Sequence, residues 1–121
     1  MEFNKNKPIY LQIIFEIKRR ISLGLLKAGD KLPSIRELAE ELQVNPNTIV
    51  RTYQEMEREG LAESKRGLGT FIVDSKEVSR QTMRATLGQS LVQEFIENML
   101  QNGISKTEIL ELVKNTLLQE S

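Results

Sequence analysis

The chain has 121 residues, in which 17 Lys and Arg balance 17 Asp and Glu, and it contains neither Cys nor His. That excludes disulfides and thiolate metal sites, and it removes the commonest general base and transition-metal ligand, so no catalysis, metal or cofactor is expected. Hydrophobic residues make up 39% and aromatics 5%, enough for a modest, mainly aliphatic core.

No apolar run approaches the roughly 18 residues of a membrane span, and the polar N-terminus lacks a signal-peptide pattern. A soluble cytoplasmic protein is expected. Charge is also even along the chain. Residues 1–75 carry 12 basic and 11 acidic groups (12 − 11 = +1), and residues 76–121 carry 5 and 6 (5 − 6 = −1). Attraction to a polyanion would therefore depend on local placement.

In chain order, residues 1–7 are polar and read as an extended arm. Pro8 suits a first helical turn. Ile9, Ile13, Ile17 and Ile21 then recur every four residues, with Ile14 and Leu25 beside them, which predicts an amphipathic helix. Gly24 is its expected terminator, and Leu25–Pro33 reads as a turn. Ser34 and Glu37 have capping-box spacing, so a second helix starts at Ile35 and ends near Gln43. Its expected buried side is Ile35, Leu38, Ala39 and Leu42.

Val44 follows as a core plug. Asn45 is a good N-cap and Pro46 fits the first helical position, so a third helix runs to about Glu59. It is stopped by Gly60 and points Ile49, Tyr53 and Met56 inward. Leu61–Ser64 and Thr70–Asp74 are short strand candidates around Lys65-Arg66-Gly67-Leu68-Gly69, where two glycines permit a hairpin tip. From about Lys76 to Gln101 the pattern is helical again, weaker over Ser79–Gly88. Asn102-Gly103 marks a turn. Ser105 and Glu108 repeat the capping-box spacing ahead of a last apolar helix.

A helix, a turn, a helix and a basic glycine hairpin make a device for holding side chains in a DNA groove. On the third helix Asn47 and Arg51 lie about 40° apart, beside Thr48 and away from the core residues. Arg51 can hold guanine edges bidentately, Asn47 can read adenine, and Thr48 can bind phosphate or touch a thymine methyl. Arg36 opens the second helix, where a side chain reaches the flanking backbone. The structural alternative for Asn45 and Pro46 is capping, which cap statistics favour. Lys65 and Arg66, taken singly, read as ordinary turn charges. The fold class is therefore mainly α with a small β wing. Residues 1–75 form a winged helix-turn-helix and 76–121 a two-helix tail.

The runs Leu32-Pro33-Ser34-Ile35-Arg36-Glu37-Leu38-Ala39, Val44-Asn45-Pro46-Asn47-Thr48-Ile49, Glu59-Gly60-Leu61 and Arg66-Gly67-Leu68-Gly69-Thr70-Phe71, in this order, resemble the winged-helix domain of GntR-family bacterial transcription regulators. The likeness covers about residues 8–74. Pro8-Ile9-Tyr10-Leu11-Gln12, the Asn45-Pro46-Asn47-Thr48 turn and the short tail resemble the YtrA subfamily. The resemblance implies a homodimer on a palindromic double-stranded operator. It implies DNA contacts from Arg36, Asn45, Asn47, Thr48 and Arg51, and a wing of Lys65, Arg66, Gly67 and Gly69 whose tip enters the minor groove. At Asn45 and Asn47 the sequence departs from the commoner family pattern, so base preference does not carry over.

Most GntR members carry a large metabolite-binding domain, and 46 residues (76–121) are too few for one. Leu91, Phe95, Ile96, Met99, Ile109, Leu112, Val113 and Leu117 offer more apolar surface than one helical pair hides, which points to a dimerisation tail. The competing expectation packs the tail back onto its own winged helix. A dimeric, sequence-specific regulator acting as a repressor is the first reading, and no effector is specified by the sequence. A winged helix that binds a protein is the second, and it differs in salt dependence. An enzyme is the third, and Glu40-Glu41 and Glu55, Glu57 and Glu59 read as solvated helix faces.

Overall fold

The computed structural model describes residues 1–120. Its elements run α1 (Ile9–Ser22), α2 (Ile35–Leu42), α3 (Pro46–Arg58), β1 (Ala62–Lys65), β2 (Gly69–Ile72), a 3-10 turn (Lys76–Val78), α4 (Arg80–Gln101) and α5 (Lys106–Glu120). They divide between two compact units, Met1–Ala85 and Thr86–Ser121. The mainly helical winged architecture expected from the sequence is present.

In the first unit α1 supplies Ile13, Ile14, Ile17 and Ile21 to one core. Against them pack Leu38, Ala39 and Leu42 of α2, Ile49, Tyr53 and Met56 of α3, and Ala62 and Ile72 of the two strands. Burying each such aliphatic side chain contributes about 1.5–3 kcal/mol. Val78 and Met83 also belong to this core, so the unit reaches past the strands.

Three expected core positions are corrected. Ile9 is 41% exposed, Leu25 67% and Ile35 38%. Ile9 and Ile35 are the first residues of their helices, where no preceding turn covers the side chain. Leu25 lies beyond the end of α1.

Local signals set the element ends. The Ser34 hydroxyl accepts from Glu37 N–H, while the Glu37 carboxylate accepts from Ser34 N–H. Asn45 Oδ1 accepts from Asn47 N–H at 2.8 Å, ahead of Pro46. Between these two helices Gln43 takes φ 57°, a left-handed conformation costing a non-glycine residue about 1–2 kcal/mol. Its side-chain amide donates to Glu40 C=O at 2.8 Å, a bond that offsets part of that cost. Tyr53 hydroxyl donates to Pro33 C=O at 2.6 Å and fastens α3 to the segment ahead of α2. Burial pushes the Tyr53 phenol well above its ordinary range.

The strands pair antiparallel, Ala62 with Ile72 through Lys65 with Gly69. The Leu25–Pro33 stretch is more than the turn expected. Its second half runs along the free edge of β2, through Gly29 N–H to Ile72 C=O, Ile72 N–H to Asp30 C=O and Leu32 N–H to Thr70 C=O, with Lys31 opposite Phe71. That covers an edge a two-stranded wing would leave open.

The N-terminal arm is not extended. Gln12 accepts from Asn4 N–H at 2.7 Å and donates to Asn4 C=O at 2.7 Å and Lys7 C=O at 3.0 Å. One glutamine amide thus folds residues 4–7 over the first turn of α1. The continuous helix expected from Lys76 is interrupted at Ser79. Its backbone is extended (φ −69°, ψ 158°), and its hydroxyl accepts from Thr82 N–H at 3.1 Å to begin α4.

In the second unit the Asn102–Gly103 turn joins α4 to α5. The Ser105–Glu108 capping box is formed, with mutual bonds of 3.1 and 3.2 Å. No helix among the described residues is long and apolar enough to cross a membrane.

Candidate nucleic-acid interface

The N-terminal half of α3 is polar on its outer side because Ile49, Thr52, Tyr53 and Met56 take the inner one. Asn47 and Arg51 are exposed and Thr48 is half-buried. All three line one shallow groove with Pro8, Ile9 and Tyr10 from the start of α1. Asn45 has its side-chain oxygen committed to the cap of α3, which is the structural role that the sequence weighed against DNA contact. Arg36 projects from α2 with a side chain 90% exposed, 3.8 Å from Glu40. An exposed i,i+4 pair of that length is worth little, so Arg36 can turn toward a phosphate at small cost.

The wing tip is Arg66-Gly67-Leu68, closed by Leu68 N–H to Lys65 C=O at 2.9 Å. Gly67 and Gly69 have φ of 76° and 118°, a region that L side chains rarely enter. At Gly69 an added Cβ would also lie 2.9 Å from Lys31 Cε. Lys65 Nζ sits 4.6 Å above the Phe71 ring and 3.9 Å from Glu63. Ser64 hydroxyl donates to the Glu57 carboxylate, tying the base of the wing to α3.

Several arginines of this unit are neutralised locally. Arg19 and Arg20 both bond Glu16, Arg20 also bonds Glu41, and Arg58 bonds Glu55. Hydrogen bonding from Arg19 holds the Glu16 carboxyl below the usual range. Among the described residues Arg51 and Arg66 have no carboxylate within 4 Å. Arg51 on the N-terminal half of α3 and Arg66 at the wing tip thus present guanidinium charge without a carboxylate partner, in a chain whose total is zero.

The pattern of "Bacterial regulatory proteins, gntR family" matches residues 9–72, the segment just described. The chain belongs to the gntR family. Its likeness to YtrA reaches into the tail. The HTH-type transcriptional repressor YtrA of Bacillus subtilis is 37% identical over 107 residues, covering 88% of this chain and 82% of the relative. A GntR family transcriptional regulator from Listeria monocytogenes has the same fold at a TM-score of 0.77 and 39% identity, covering 93% of this chain and 98% of that one. AraR(DBD), solved in complex with operator ORR3, matches with a TM-score of 0.53 at 32% identity, over 60% of this chain and 86% of that one. This gntR-family chain is thus a DNA-binding transcription regulator and not an enzyme.

Two residues near the interface went unassigned in the sequence. Tyr10 carries no signature of its own in the sequence, since its ring meets Arg51 only once α1 packs against α3. Lys31 was passed over because its segment reads as a turn, and a lysine beside a strand edge has no signature until the strand pairing is known.

In the second unit Ile109 is 6% exposed and so already covered, while Ile96, Met99 and Val113 are half-buried. Leu91, Phe95, Leu112 and Leu117 are exposed, by 42% to 63%. Two open apolar grooves lie between α4 and α5. One is lined by Phe95, Met99, Leu112, Val113, Thr116 and Leu117. The other, of about 710 Å³, is lined by Val92, Phe95, Ile96, Lys106, Ile109, Leu110 and Val113.

Proposed function

We propose that this regulator represses transcription in the cytoplasm by binding an inverted-repeat operator as a homodimer. Residues 1–75 are the reading head and 76–121 the pairing element. The observation that carries the reading is Arg51, an arginine without a carboxylate partner beside Asn47 and Thr48 on the N-terminal half of α3. Such a helix end enters the major groove in helix-turn-helix proteins. In this reading Arg51 and Asn47 address base edges, Thr48 and Arg36 address the backbone, and Lys65, Arg66, Gly67 and Gly69 carry the wing into the minor groove.

The partner of the tail is a second copy of the same tail. Leu91, Phe95, Leu112 and Leu117 present apolar surface along both helices, and a like surface covers it with twofold symmetry. Pairing two heads raises the effective concentration of the second. Repression is supported by the name of the YtrA relative, and operator binding by the AraR complex.

The test is fluorescence anisotropy with the DNA upstream of the gene for this chain, at two salt concentrations. The expected result is binding that saturates at two chains per inverted repeat and weakens steeply as salt rises. Folded, dimeric protein that selects no sequence from random DNA would instead assign the winged helix to a protein partner.

A further inference from the structure

We propose that Tyr10 is a positioning residue for base reading: its ring holds the Arg51 guanidinium in a preset orientation with its N–H edges free. This inference rests on the reading of Arg51 given above. Arg51 Cζ lies 4.0 Å from the Tyr10 ring centroid, well inside the range of a cation–π contact. A ring engages the face of a guanidinium. A carboxylate would engage its edge and consume the donors that a guanine O6/N7 pair requires. Arg19, Arg20 and Arg58 are edge-bound to Glu16, Glu41 or Glu55. Arg51 instead sits over an aromatic ring.

The two helices that carry the pair are fixed against each other. Tyr10 lies in the first turn of α1, three residues before Ile13, where the buried face begins, and two before Gln12, whose amide ties down residues 4–7. Ile13, Ile14 and Ile17 lock α1 into the core that also holds Ile49 and Tyr53 of α3. Ring and guanidinium therefore keep their registration without DNA. Ordering a long arginine before binding removes a cost otherwise met during binding. The chemistry that this site takes is a base edge with two acceptors, and the pairing sharpens selectivity at one base pair more than it adds to general affinity.

The experiment uses the full chain and duplexes that the wild-type protein selects from random-sequence DNA. Each base pair of a half-site is substituted in turn. Arg51→Ala first locates the pair at which discrimination collapses. Tyr10→Ala is expected to lose about five- to tenfold of discrimination at that same pair and little elsewhere. Its log–log salt slope should stay at the wild-type value, since no phosphate contact is removed. Tyr10→Phe keeps the ring face and should bind within about twofold of wild type. Tyr10→Ala added to Arg51→Ala should change nothing further.

The inference is overturned if Tyr10→Ala leaves discrimination intact, weakens all sequences equally, or adds its full effect to Arg51→Ala. It is also overturned if Tyr10→Phe is as weak as Tyr10→Ala. Thermal unfolding of each variant separates these outcomes from misfolding, and Tyr10→Phe decides the matter if Tyr10→Ala is unstable. Wild-type protein that selects no DNA sequence would refute the operator reading itself, a result distinct from a wild type that selects and a Tyr10 variant that behaves identically.

Discussion

The two units differ in what they do with apolar residues. In the first, three helices and a wing close around Ile13, Ile49 and Ile72, which have no exposed surface. In the second, two helices leave Leu91 52% exposed and Leu117 63% exposed. Each contains a helix opened by a Ser–Glu capping box, so the difference does not lie in local structure. It lies in the number of layers: three packed elements enclose a volume, and two helices only border one. A unit that cannot close its core alone acquires stability from whatever covers it, and with a second copy as the cover, as proposed above, that stability would depend on concentration.

The largest effect expected from that contrast is on the closed core. Ile49→Ala should cost about 2–5 kcal/mol, read by urea unfolding of the full chain. A loss under 1 kcal/mol would mean that the first unit is packed as loosely as the second. Phe95→Asp comes next. It lines both grooves of the second unit, and a buried unpaired charge there should shift sedimentation from dimer to monomer. The unfolding of the first unit should be unaltered. A persisting dimer would move the interface away from α4.

Arg51→Ala sharpens the contrast within the first unit, between residues that close the core and residues that face outward. It should cost about 1–3 kcal/mol of operator binding with stability changed by under about 0.5 kcal/mol. Unchanged affinity would remove Arg51 from the interface, and a large stability loss would make it structural.

Much of the fold was legible because local chemistry and global packing agree. Ser34 with Glu37, Asn45 with Pro46, and Ser105 with Glu108 each announce a helix start that the structure contains. The α3 core positions follow from a spacing of four and three. The failures are positions decided by distant partners. The edge role of Lys31 depends on strand β2, some forty residues on. Folding of the arm depends on the side chain of Gln12, which a polar stretch read as extended does not reveal. Ile9 and Ile35 match the apolar period and are nevertheless exposed, because periodicity identifies a face and not where the neighbouring element stops. Within the candidate interface, residue types marked Asn47, Thr48 and Arg51. The ring that orients Arg51 is 41 positions earlier in the chain and needed the α1–α3 packing to become visible.

The smallest expected effect is shared by both units and tests whether their helix starts are equivalent. Glu37 and Glu108 each accept a hydrogen bond from a capping-serine N–H, Ser34 and Ser105, which lowers both carboxyls from the ordinary value. In the first unit Glu16 is lowered as well, chiefly by its hydrogen bond from Arg19. A carboxyl lowered in the folded state stabilises at pH values above its unfolded value, about 4.3, and loses that contribution as pH falls through the folded one. With no His in the chain, no side chain with an ordinary pKa titrates between pH 5 and 8. Urea midpoints should therefore be nearly flat over that interval and fall below about pH 4. Glu37→Gln, which removes the titrating group, should flatten the first unit's acid limb; Ser34→Ala should lower that unit's stability by about 1 kcal/mol at pH 7, and Ser105→Ala should leave that unit unchanged. A midpoint that falls already between pH 7 and 5 would contradict the assignment of these carboxylates as the titrating groups. An acid limb unaltered by Glu37→Gln would leave Glu16 to account for it in the first unit.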